Sequence, residues 1–571
     1  MATFTVTTAS DAVNPAGLSL REALASADVN PGADTIYFAP ILNETTIVLT
    51  QGELTIASDV TIDGGELQIV IDANNQSRVL NIETGTDVTL DSLHITGGHS
   101  TSSGGGILVG AGTSLTVVDT EVVRNSVNGD NLDGVLRGGG IYTGGSLVLR
   151  GSTVSDNAIS GAAGQGGGIA AADVSLFQST VAANYAGDAG GIFSGNVTLD
   201  ASTVHHNTAN APNAVSHGGG IYAGSVTLTN STVAFNRADS FRPGISIGGG
   251  IYAPGGVVSL TDSTLTGNYA SLSGGAVYAG SVTVANSIIV GNAAEGSYDI
   301  SGAVTESNGH NLFGSAVSGS LPGDLQNVTA QSVFATVTQV AGTDVVGGVL
   351  ADNGGRTETV ALLDSSTNPA LGRGEGIASI GTDQRGEPRP SAGGHPDIGA
   401  FELEQSHAIV PGSPGVKLLA GTAEHEALFG LAHGEVLRGG RGNDLLDGGK
   451  GADWLRGGPG GDALIGGSGP DRFIFAEASH SAPAAPDRIL DFSQRQGDRI
   501  VLRGLDGDLD QSGDQPLEFI GRHRFTDAGQ VMETVIDGHT VVRINLDDDP
   551  RAELRIELHD AIDLHRGDFL L

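Results

Sequence analysis

Residues 439–474 read GGRGNDLLD, GGKGADWLR, GGPGGDALI and GGSGPDRFI, four nine-residue units without remainder. Glycine occupies positions 1, 2 and 4 of every unit, aspartate occupies position 6, and position 8 is apolar. Two weaker units precede them in the same register, GTAEHEALF (421–429) and GLAHGEVLR (430–438), with Glu426 and Glu435 at the aspartate position. A linker has no reason to keep an apolar residue at every ninth position, so this segment is predicted to be a stack of short strands and turns.

The composition of each unit suits a hard cation. Glycine allows the tight turns that bring several backbone carbonyls together, and such a cation takes those oxygens plus a carboxylate. The pattern resembles the calcium-binding repeat of RTX proteins, in which an ion lies between one loop and the loop two units on. The resemblance implies sites that pair Asp444 with Asp462 and Asp453 with Asp471, with weaker sites at Glu426 and Glu435. The residues expected to bind Ca²⁺ are Gly440, Gly442, Asp444, Gly449, Gly451, Asp453, Gly458, Gly460, Asp462, Gly467, Gly469 and Asp471.

Composition limits the classes of protein. The 571 residues include 90 glycines and carry a net charge of −38, which argues against binding to nucleic acid or to an anionic membrane. Cysteine is absent, so neither disulfides nor thiolate metal sites are expected. The start MATFTVTTAS leads into no apolar segment, and no run of about 20 apolar residues occurs. We therefore expect no ordinary signal peptide, and any export must use another route.

A second, longer repeat precedes the nine-residue units. GGGI-like strings begin at residues 104, 138, 166, 190, 218, 248 and 274, and each is followed by a run such as VTLTNSTVAFN (226–236). This pattern predicts an all-β, right-handed parallel β-helix with three strands per coil. GGGIY is expected to start one sheet, VTLTN to supply the second, and STVAFN the third. The asparagines that end the runs are expected to hydrogen-bond along the axis at one corner, in left-handed backbone: Asn125, Asn157, Asn184, Asn207, Asn236, Asn268 and Asn292.

Both ends of this region resemble secreted bacterial β-helix proteins. GLSLREAL (17–24) is similar to their Cys-Ser-Leu-Arg-Glu-Ala signature, with Leu18 in place of the cysteine, and the GGGI and STV-x-x-N strings resemble repeats of chlamydial polymorphic outer-membrane proteins. GTDQRGEPRP (381–390) and DIGAFE (397–402) resemble the segments that close such helices. The resemblance implies a β-helix over residues 1–404 with an N-terminal cap and an extracellular setting. It implies no reaction, and Arg21 and Glu22 are expected to form a capping ion pair.

The remaining segments complete the predicted organisation. Residues 405–417 form a Pro/Gly/Ser linker, 418–475 the calcium-binding parallel β-roll, and 476–571 a C-terminal domain. That last domain resembles the one that follows the repeats in serralysin-type secreted proteases, on the matching residues Asp487, Ile489, Asp491, Phe492, Gly497, Asp498 and Ile500. The resemblance implies that Asp568, Phe569, Leu570 and Leu571 belong to a type I secretion signal. The partners expected are type I secretion machinery and an extracellular polysaccharide or cell surface. The protein would then be extracellular or associated with the cell surface.

Catalysis has little support in the sequence. HEALF (425–429) lacks the second histidine of a zinc protease, and the catalytic string of mannuronan C5-epimerases is absent. The best acid–base cluster is His205, His206 and His217 with Asp188, Arg237 and Asp239. A row of outward aromatics is also expected, interrupted by Ala170: Tyr142, Phe193, Tyr222, Tyr252 and Tyr278.

The sequence is consistent with two functions. The first is a secreted protein whose β-roll folds on extracellular calcium and whose β-helix is an adhesion, glycan-binding or matrix module without catalytic residues. In that case the aromatic row either stacks on sugar rings or only stabilises its own sheet. The alternative is a polysaccharide lyase or mannuronan C5-epimerase-like enzyme that acts in the β-helix groove.

Overall fold

The computed structural model describes residues 2–571 with short gaps. The gaps are 130–134, 162–163, 212–213, 241–245, 296–298, 318–323, 364, 366–367, 372, 375–381, 388, 390–395, 404–407, 412–416, 423–425, 484–485, 510, 512, 514, 524, 537–538, 548–550 and 560. The chain forms two compact units: Met1–Gly376 with Thr382–Arg389 and His395–Leu403, and Glu404–Leu571 with Ile377–Gly381 and Pro390–Gly394. No helix in the described residues is long and apolar enough to cross a membrane.

The first unit is a parallel β-helix whose longest sheet has 16 strands. Equivalent positions of successive coils pair in parallel, as Ile192 does with Ile221 and Phe193 with Tyr222. The strands of this long sheet are Thr3–Val6, Asp34–Phe38, Leu54–Ile56, Val60–Asp63, Leu80–Ile82, Asp87–Asp91, Ile107–Val109, Ser114–Val118, Ile141–Thr143, Ser146–Arg150, Ile169–Phe177, Ile192–Asp200, Ile221–Thr229, Ile251–Thr261, Val277–Ala285 and Ile300–Ser307.

A second sheet runs along the β-helix, and a third sheet completes the coils between residues 99 and 270. The 11-stranded second sheet contains Thr46–Val48, Ile69–Asp72, Leu93–Thr96, Glu121–Val123, Thr153–Ser155, Thr180–Ala182, Thr203–His205, Thr232–Ala234, Thr264–Thr266, Ile288–Ile289 and Leu312–Phe313. The seven-stranded third sheet contains His99–Ser100, Ser126–Asn128, Ala158–Ser160, Tyr185–Ala186, Thr208–Ala211, Arg237–Ser240 and Tyr269–Ala270. A short pair, Ser216–His217 with Ser246–Ile247, lies beside them.

The prediction of three strands per coil is confirmed, but their assignment to sheets was wrong. GGGIY and VTLTN do not start separate sheets, because Ile221–Thr229 is one continuous strand. In earlier coils the two parts are separate, as in Ile141–Thr143 and Ser146–Arg150. The STVAFN run belongs to the second sheet, and the third sheet comes from polar residues after the asparagine, such as Arg237–Ser240. These polar strands carry little hydrophobic signal, so the sequence pattern missed them.

The N-terminal cap is the helix Leu20–Asp28, which buries Leu20, Ala23 and Leu24 against the first coils. Ser19 and Glu22 form a capping box at its start. The expected ion pair between Arg21 and Glu22 is not the one observed: Arg21 binds Asp11, with Nε 2.7 Å from Oδ1. The core of the β-helix is a continuous stack of inward Ile, Val and Leu side chains, most of them 0–3% exposed.

The residues that follow the last coils cover the second sheet. They contain the helix Ala330–Val333 and two small antiparallel pairs, Val337–Gln339 with Val346–Gly348 and Leu350–Ala351 with Thr359–Val360. Gln384, of the predicted closing segment, donates to Thr203 Oγ1 at 2.6 Å and accepts from Thr232 Oγ1 at 2.6 Å. The sequence predicts that this segment closes the β-helix. It lies along the flank of the second sheet, over several coils, because Thr203 and Thr232 offer outward hydroxyls there.

The second unit contains a parallel β-roll in which nine-residue units contribute strands alternately to two sheets. The nine-stranded sheet is Ala408–Pro411, Glu426–Phe429, Leu445–Asp447, Ala463–Ile465, Asp487–Ile489, Leu554–Leu558, His539–Asn545, Gln530–Ile536 and Glu518–Gly521. The six-stranded sheet is Leu418–Ala420, Val436–Arg438, Trp454–Arg456, Arg472–Ile474, Arg499–Val501 and Phe569–Leu570. The position-8 residues Leu446, Leu455, Leu464 and Phe473 are fully buried between the sheets.

The described residues also contain three short 3₁₀ segments: Pro40–Leu42, Ala478–Ser481 and Arg566–Asp568. Within the predicted linker 405–417, the described residues Ala408–Pro411 are a strand paired with Glu426–Phe429. The predicted boundary between residues 475 and 476 and the right-handed sense of the coil stay predictions.

Candidate functional site

The position-6 carboxylates of the repeats form a ladder in the second unit. One oxygen of each, Oδ1, accepts a hydrogen bond from the backbone N–H of the position-6 residue 18 residues earlier. Asp462 accepts from Asp444 at 2.8 Å, and Asp471 accepts from Asp453 at 2.8 Å. Asp444 and Asp453 accept in the same way from Glu426 and Glu435, at 2.8 and 2.7 Å. The structure therefore brings together the pairs Asp444 with Asp462 and Asp453 with Asp471 that the sequence predicts.

The second oxygen of these carboxylates has no partner. In the described part of the chain, Oδ2 is buried without a hydrogen bond in Asp444, Asp453, Asp462, Asp471 and Asp487. A buried carboxylate oxygen without a partner costs several kcal/mol unless a cation or a proton satisfies it. Three of these oxygens belong to the hydrogen-bonded series of Asp444, Asp462 and Asp487 and two to that of Asp453 and Asp471. They fit bound cations, because carboxylate and carbonyl oxygens are the ligands that Ca²⁺ prefers.

The glycines of the repeats leave room for close approach between loops. Positive φ angles occur at Gly440, Gly442, Gly449, Gly451, Gly458, Gly467 and Gly469. At Gly460 the requirement is space, because a Cβ there would lie 1.8 Å from the carbonyl oxygen of Gly442. A Cβ on the first glycine of a unit would meet the unpartnered oxygen instead, as at Gly457, 2.0 Å from Asp462 Oδ2. At the first position of a unit, the side chain of any residue other than glycine would occupy the space beside the aspartate carboxylate.

Burial and mutual repulsion raise the pKa values of the ladder. Burial, with the neighbouring Glu426 carboxylate, raises the pKa of Asp444 to about 7. Burial, with Asp498 and Asp453 nearby, raises the pKa of Asp471 to about 7. Burial, with Glu435 nearby, raises the pKa of Asp453 to about 6, and burial raises that of Asp462 well above its usual range. Protons and a divalent cation therefore compete for the same oxygens.

Sequence reasoning missed two rungs beyond the repeats. Asp487 Oδ1 accepts from Asp462 N–H at 3.0 Å, and Asp498 Oδ1 accepts from Asp471 N–H at 3.0 Å. Asp491 accepts from the N–H groups of Gly466 and Gly467, at 2.8 and 2.7 Å. The strands Asp487–Ile489 and Arg499–Val501 continue the two sheets of the roll. The available signal was the shared Asp-x-apolar string, DRI at 487–489 and 498–500, like DRF at 471–473.

The ladder differs from a site made of side chains alone. No group of three or more His, Cys, Asp or Glu side chains in the described residues is arranged to hold a metal. At the start of the ladder, Glu426 Oε2 accepts from the N–H of Thr422 at 3.1 Å, and Glu435 Oε2 accepts from that of Leu431 at 3.4 Å. The longer glutamates thus reach back to their own loop, which supports the prediction of weaker sites there. His425 lies outside the described residues.

The repeated asparagines of the β-helix are structural. Asn207 is fully buried, and its Nδ2 donates to Asn236 Oδ1 at 2.9 Å and to the carbonyl of Val181 at 2.8 Å. The same pattern links all seven predicted asparagines from Asn125 to Asn292, which confirms bonding along the axis. The expected left-handed backbone was misplaced by one residue: the positive φ lies at the preceding position, as in His206 (φ 53°).

The predicted acid–base cluster is divided into three parts. His205 Nδ1 lies 2.8 Å from His206 Nδ1, and His206 stacks on Phe235. Burial, with His206 nearby, lowers the pKa of His205 to about 4. His217 Nδ1 lies 3.1 Å from Asp188 Oδ1, whereas Arg237 pairs with Asp239 at 2.9 Å and covers the ring of Tyr269. These contacts hold the six residues in three separate groups.

The aromatic row is present with the predicted register. Parallel pairing places the following residues one above the next on successive coils: Tyr142, Ala170, Phe193, Tyr222, Tyr252 and Tyr278. Ring centroids are 5.1 Å apart for Phe193 and Tyr222, 4.9 Å for Tyr222 and Tyr252, and 5.3 Å for Tyr252 and Tyr278. The rings are half-buried and contact one another, so the row does stabilise its sheet.

Comparison with known proteins identifies the nine-residue units. The family model of the RTX calcium-binding nonapeptide repeat (4 copies) matches residues 429–464 and 438–473. These residues are RTX repeats, and calcium is their cofactor. No curated protein matches the chain.

Solved structures similar to this chain include parts of a mannuronan C5-epimerase and a pectate lyase. The AlgE6R3 subunit of the Azotobacter vinelandii mannuronan C5-epimerase shares 28% identity over 28% of this chain and 82% of its own, with a TM-score of 0.21. The AlgE6R2 subunit of the same epimerase shares 27% identity over 27% and 91%, with a TM-score of 0.20. The pectate lyase Pel9A shares 17% identity over 71% and 97%, with a TM-score of 0.41.

Proposed function

We propose that the protein is a secreted calcium-binding protein whose C-terminal unit folds when calcium enters the ladder of residues 421–498. The observation that carries this proposal is the row of buried, unpartnered Oδ2 atoms in Asp444, Asp453, Asp462, Asp471 and Asp487. Their burial is unfavourable without a cation, so the free energy of calcium binding becomes free energy of folding.

This coupling suits export. At the low calcium concentration inside a cell, the acidic repeats stay unfolded, and outside they fold around calcium. A type I route is consistent with the resemblance of the last residues to the serralysin-type signal. In the folded chain Phe569 is 2% exposed and pairs with Ile500, so the end of the chain is part of the roll.

A single tryptophan makes the proposal testable in the whole chain. Trp454, the one tryptophan of the sequence, lies in the roll strand Trp454–Arg456, with the Arg472 guanidinium 5.5 Å from its ring. Its emission, excited selectively, should change cooperatively when millimolar calcium is added to chelator-treated protein, and far-UV circular dichroism should gain β-structure. A chelator-treated protein with unchanged emission and full β-structure would refute folding on calcium.

For the β-helix we propose a binding role as an adhesion, glycan-binding or matrix module. The separation of the acid–base cluster into three parts favours this role over the competing candidate, a polysaccharide lyase or mannuronan C5-epimerase-like enzyme. Incubation with alginate or pectin distinguishes the two. New unsaturated ends, or a changed uronate composition, would establish the enzyme, whereas retention of intact polysaccharide would support the binding role.

A further inference from the structure

On the outer face of the long sheet, side chains at equivalent positions of successive coils line up in rows. The aromatic row of Phe193, Tyr222, Tyr252 and Tyr278 forms its centre. We name this region the aromatic strip, and it includes the polar residues on either side of the row. Each ring stands on a different coil, so the strip extends along the helix axis.

Bare backbone lies on one side of the aromatic row. Two residues beyond Phe193, Tyr222 and Tyr278 stand Gly195, Gly224 and Gly280, all exposed. A Cβ on Gly224 would lie 2.7 Å from the carbonyl oxygen of Gly195, so the stacking of the coils itself excludes a larger residue there. In these three coils no side chain shields the backbone from a ligand that approaches the rings, whereas the exposed Pro254 stands at this position beside Tyr252.

Hydrogen-bonding groups flank the rings on both sides. Beyond the glycines, Asn196 Nδ2 donates to Asp173 Oδ1 at 2.7 Å, and Ser225 Oγ donates to Asn196 Oδ1 at 2.6 Å, with Asn196 and Asp173 exposed. On the other side, the ring of His217 lies 4.5 Å from that of Tyr252, and its Nδ1 lies 3.1 Å from Asp188 Oδ1.

The strip opens into a depression at its N-terminal end. Its volume is about 510 Å³, and its lining includes Asn81, Glu83, Leu108, Tyr142 and Gly144. Asn81, Leu108 and Tyr142 are paired in register, so the depression continues the line of the aromatic row through earlier coils. The surface is therefore long in one direction and combines apolar rings with hydrogen-bonding groups throughout.

We propose that the aromatic strip binds an extended, uncharged polysaccharide chain that lies along the helix axis. Pyranose rings present apolar C–H faces to aromatic side chains and hydroxyl groups to amides, carboxylates and backbone. The inference rests on the proposed binding role of the β-helix and names its ligand class.

The charges of the strip select against acidic polysaccharides. Glu83, Asp173 and Asp188 line it, and the chain as a whole carries a net charge of −38. The nearby cation Arg137 is already engaged, since its Nε donates to Gln165 Oε1 at 3.0 Å and its guanidinium lies 5.6 Å from the Phe193 ring. A polyuronate would meet unfavourable carboxylate pairs, whereas a neutral glycan would gain hydrogen bonds to the same groups.

The test measures binding of defined oligosaccharides to the calcium-loaded full chain by titration calorimetry. The neutral probes are linear hexasaccharides of β-1,4-glucan, β-1,3-glucan, β-1,4-mannan and β-1,4-galactan. The acidic probes are hexamers of galacturonate and mannuronate. We expect binding of at least one neutral probe and a weakening of about tenfold or more in Tyr222→Ala and Asn196→Ala.

Two further variants make the result specific to the strip. Ser225→Trp places a bulky side chain on it without removing a ring, and should also weaken binding. Tyr185→Ala removes an exposed tyrosine of the third sheet, in the coil that precedes that of Phe193, and should leave binding unchanged. Thermal melting confirms that each variant folds.

The outcomes separate the two proposals. Tighter binding of galacturonate or mannuronate hexamers would overturn the uncharged ligand class while leaving a binding role for the β-helix. Binding of no probe, or equal loss in Tyr185→Ala, would overturn the aromatic strip as the site. Neither result bears on the calcium response of Trp454, which is measured separately and decides the proposed folding on calcium.

Discussion

At the scale of single residues, Asp462 is central to the calcium ladder. Its Oδ1 accepts from Asp444 N–H at 2.8 Å, its own N–H donates to Asp487, and its Oδ2 is buried without a partner. An amide in its place keeps one oxygen for the backbone hydrogen bond and removes the oxygen that remains for a cation. A substitution at Asp462 therefore tests the metal-binding role of the ladder while its backbone hydrogen bond is kept.

We predict that Asp462→Asn moves the calcium midpoint of Trp454 emission upward by about tenfold or more, equivalent to about 1.4 kcal/mol. Without calcium the variant should be at least as stable as the unsubstituted protein, because a buried, repelled charge is gone. Asp447→Asn is the control, since Asp447 ends the repeat that contains Asp444 and its Oδ1 accepts a hydrogen bond from Gly449 N–H at 3.0 Å. Equal midpoints for the two variants would contradict the assignment of Asp462.

His205 gives the β-helix a dependence on pH. Burial, with His206 nearby, lowers its pKa from 6.5 to about 4, so the folded state favours the neutral ring. The stability from this residue is fully present above pH 6.5 and is lost as the pH falls from 6.5 through about 4. The loss amounts to about 3 kcal/mol when complete.

We predict that the free energy of unfolding of the β-helix, measured with denaturant, decreases less between pH 7.5 and pH 5 in His205→Gln than in the unsubstituted protein. Far-UV circular dichroism provides the measurement. His94→Gln is the control, because its side chain is 27% exposed against 13% for His205. An unchanged decrease in His205→Gln would show that other groups set the acid sensitivity.

At the scale of elements, side-chain ladders at two corners support the coils. The asparagine ladder ends at Asp299, whose Oδ1 accepts from Asn292 Nδ2 at 3.0 Å. A second ladder of serines runs along the other corner, where Ser202 N–H donates to Ser231 Oγ and Ser179 N–H donates to Ser202 Oγ, both at 3.1 Å. The serine of each STV string provides these hydroxyls, a role that sequence reasoning did not assign.

We predict that Asn207→Ala destabilises the β-helix by about 2 to 4 kcal/mol, because it leaves buried groups of three coils without partners. Asn207 accepts from Asn184 Nδ2 and donates to Asn236 Oδ1 and the Val181 carbonyl. Asn196→Ala, which changes an exposed asparagine of the strand Ile192–Asp200, should cost less than about 0.5 kcal/mol. Equilibrium unfolding in urea measures both, and equal costs would contradict the ladder.

At the scale of the whole molecule, the two units have separate hydrophobic cores. The β-helix core contains residues from Val6 to Phe313, and the roll core contains residues from Leu419 to Phe569. The proposed folding on calcium requires that calcium bind the folded roll more tightly than its unfolded chain, so its stabilisation is confined to the unit that contains the repeats. The stabilisation is about 4 kcal/mol per site when free calcium is a thousandfold above Kd.

We predict that differential scanning calorimetry resolves two transitions, of which calcium raises only one. The other should keep its midpoint in chelator and in millimolar calcium, and it should shift in Asn207→Ala. Magnesium at the same concentration is the control, because Mg²⁺ demands a small, near-ideal octahedral shell and gives up its bound water reluctantly. Equal calcium shifts of both transitions would contradict independent units.

The amino-acid sequence determined the parts of the fold that rest on short-range repetition. A glycine and aspartate pattern of period nine dictates a turn and a strand in each unit, and stacked identical units bring Asp444 to Asp462 and Asp453 to Asp471. The GGGI and STV-x-x-N strings predict coils for the same reason, since each coil buries its apolar residues only on the next. The calcium cofactor followed from this pattern.

Only the tertiary structure decided the features that depend on non-local pairing. Ile221–Thr229 is continuous because its neighbours in adjacent coils extend it through Gly224, a position that local preference treats as a turn. Asp487 and Asp498 join the ladder after irregular intervals of 25 and 27 residues, which no repeat period indicates. Gln384 reaches Thr203 across 181 residues. Such contacts depend on which surfaces remain unpaired after the coils stack. Local sequence patterns do not predict those surfaces.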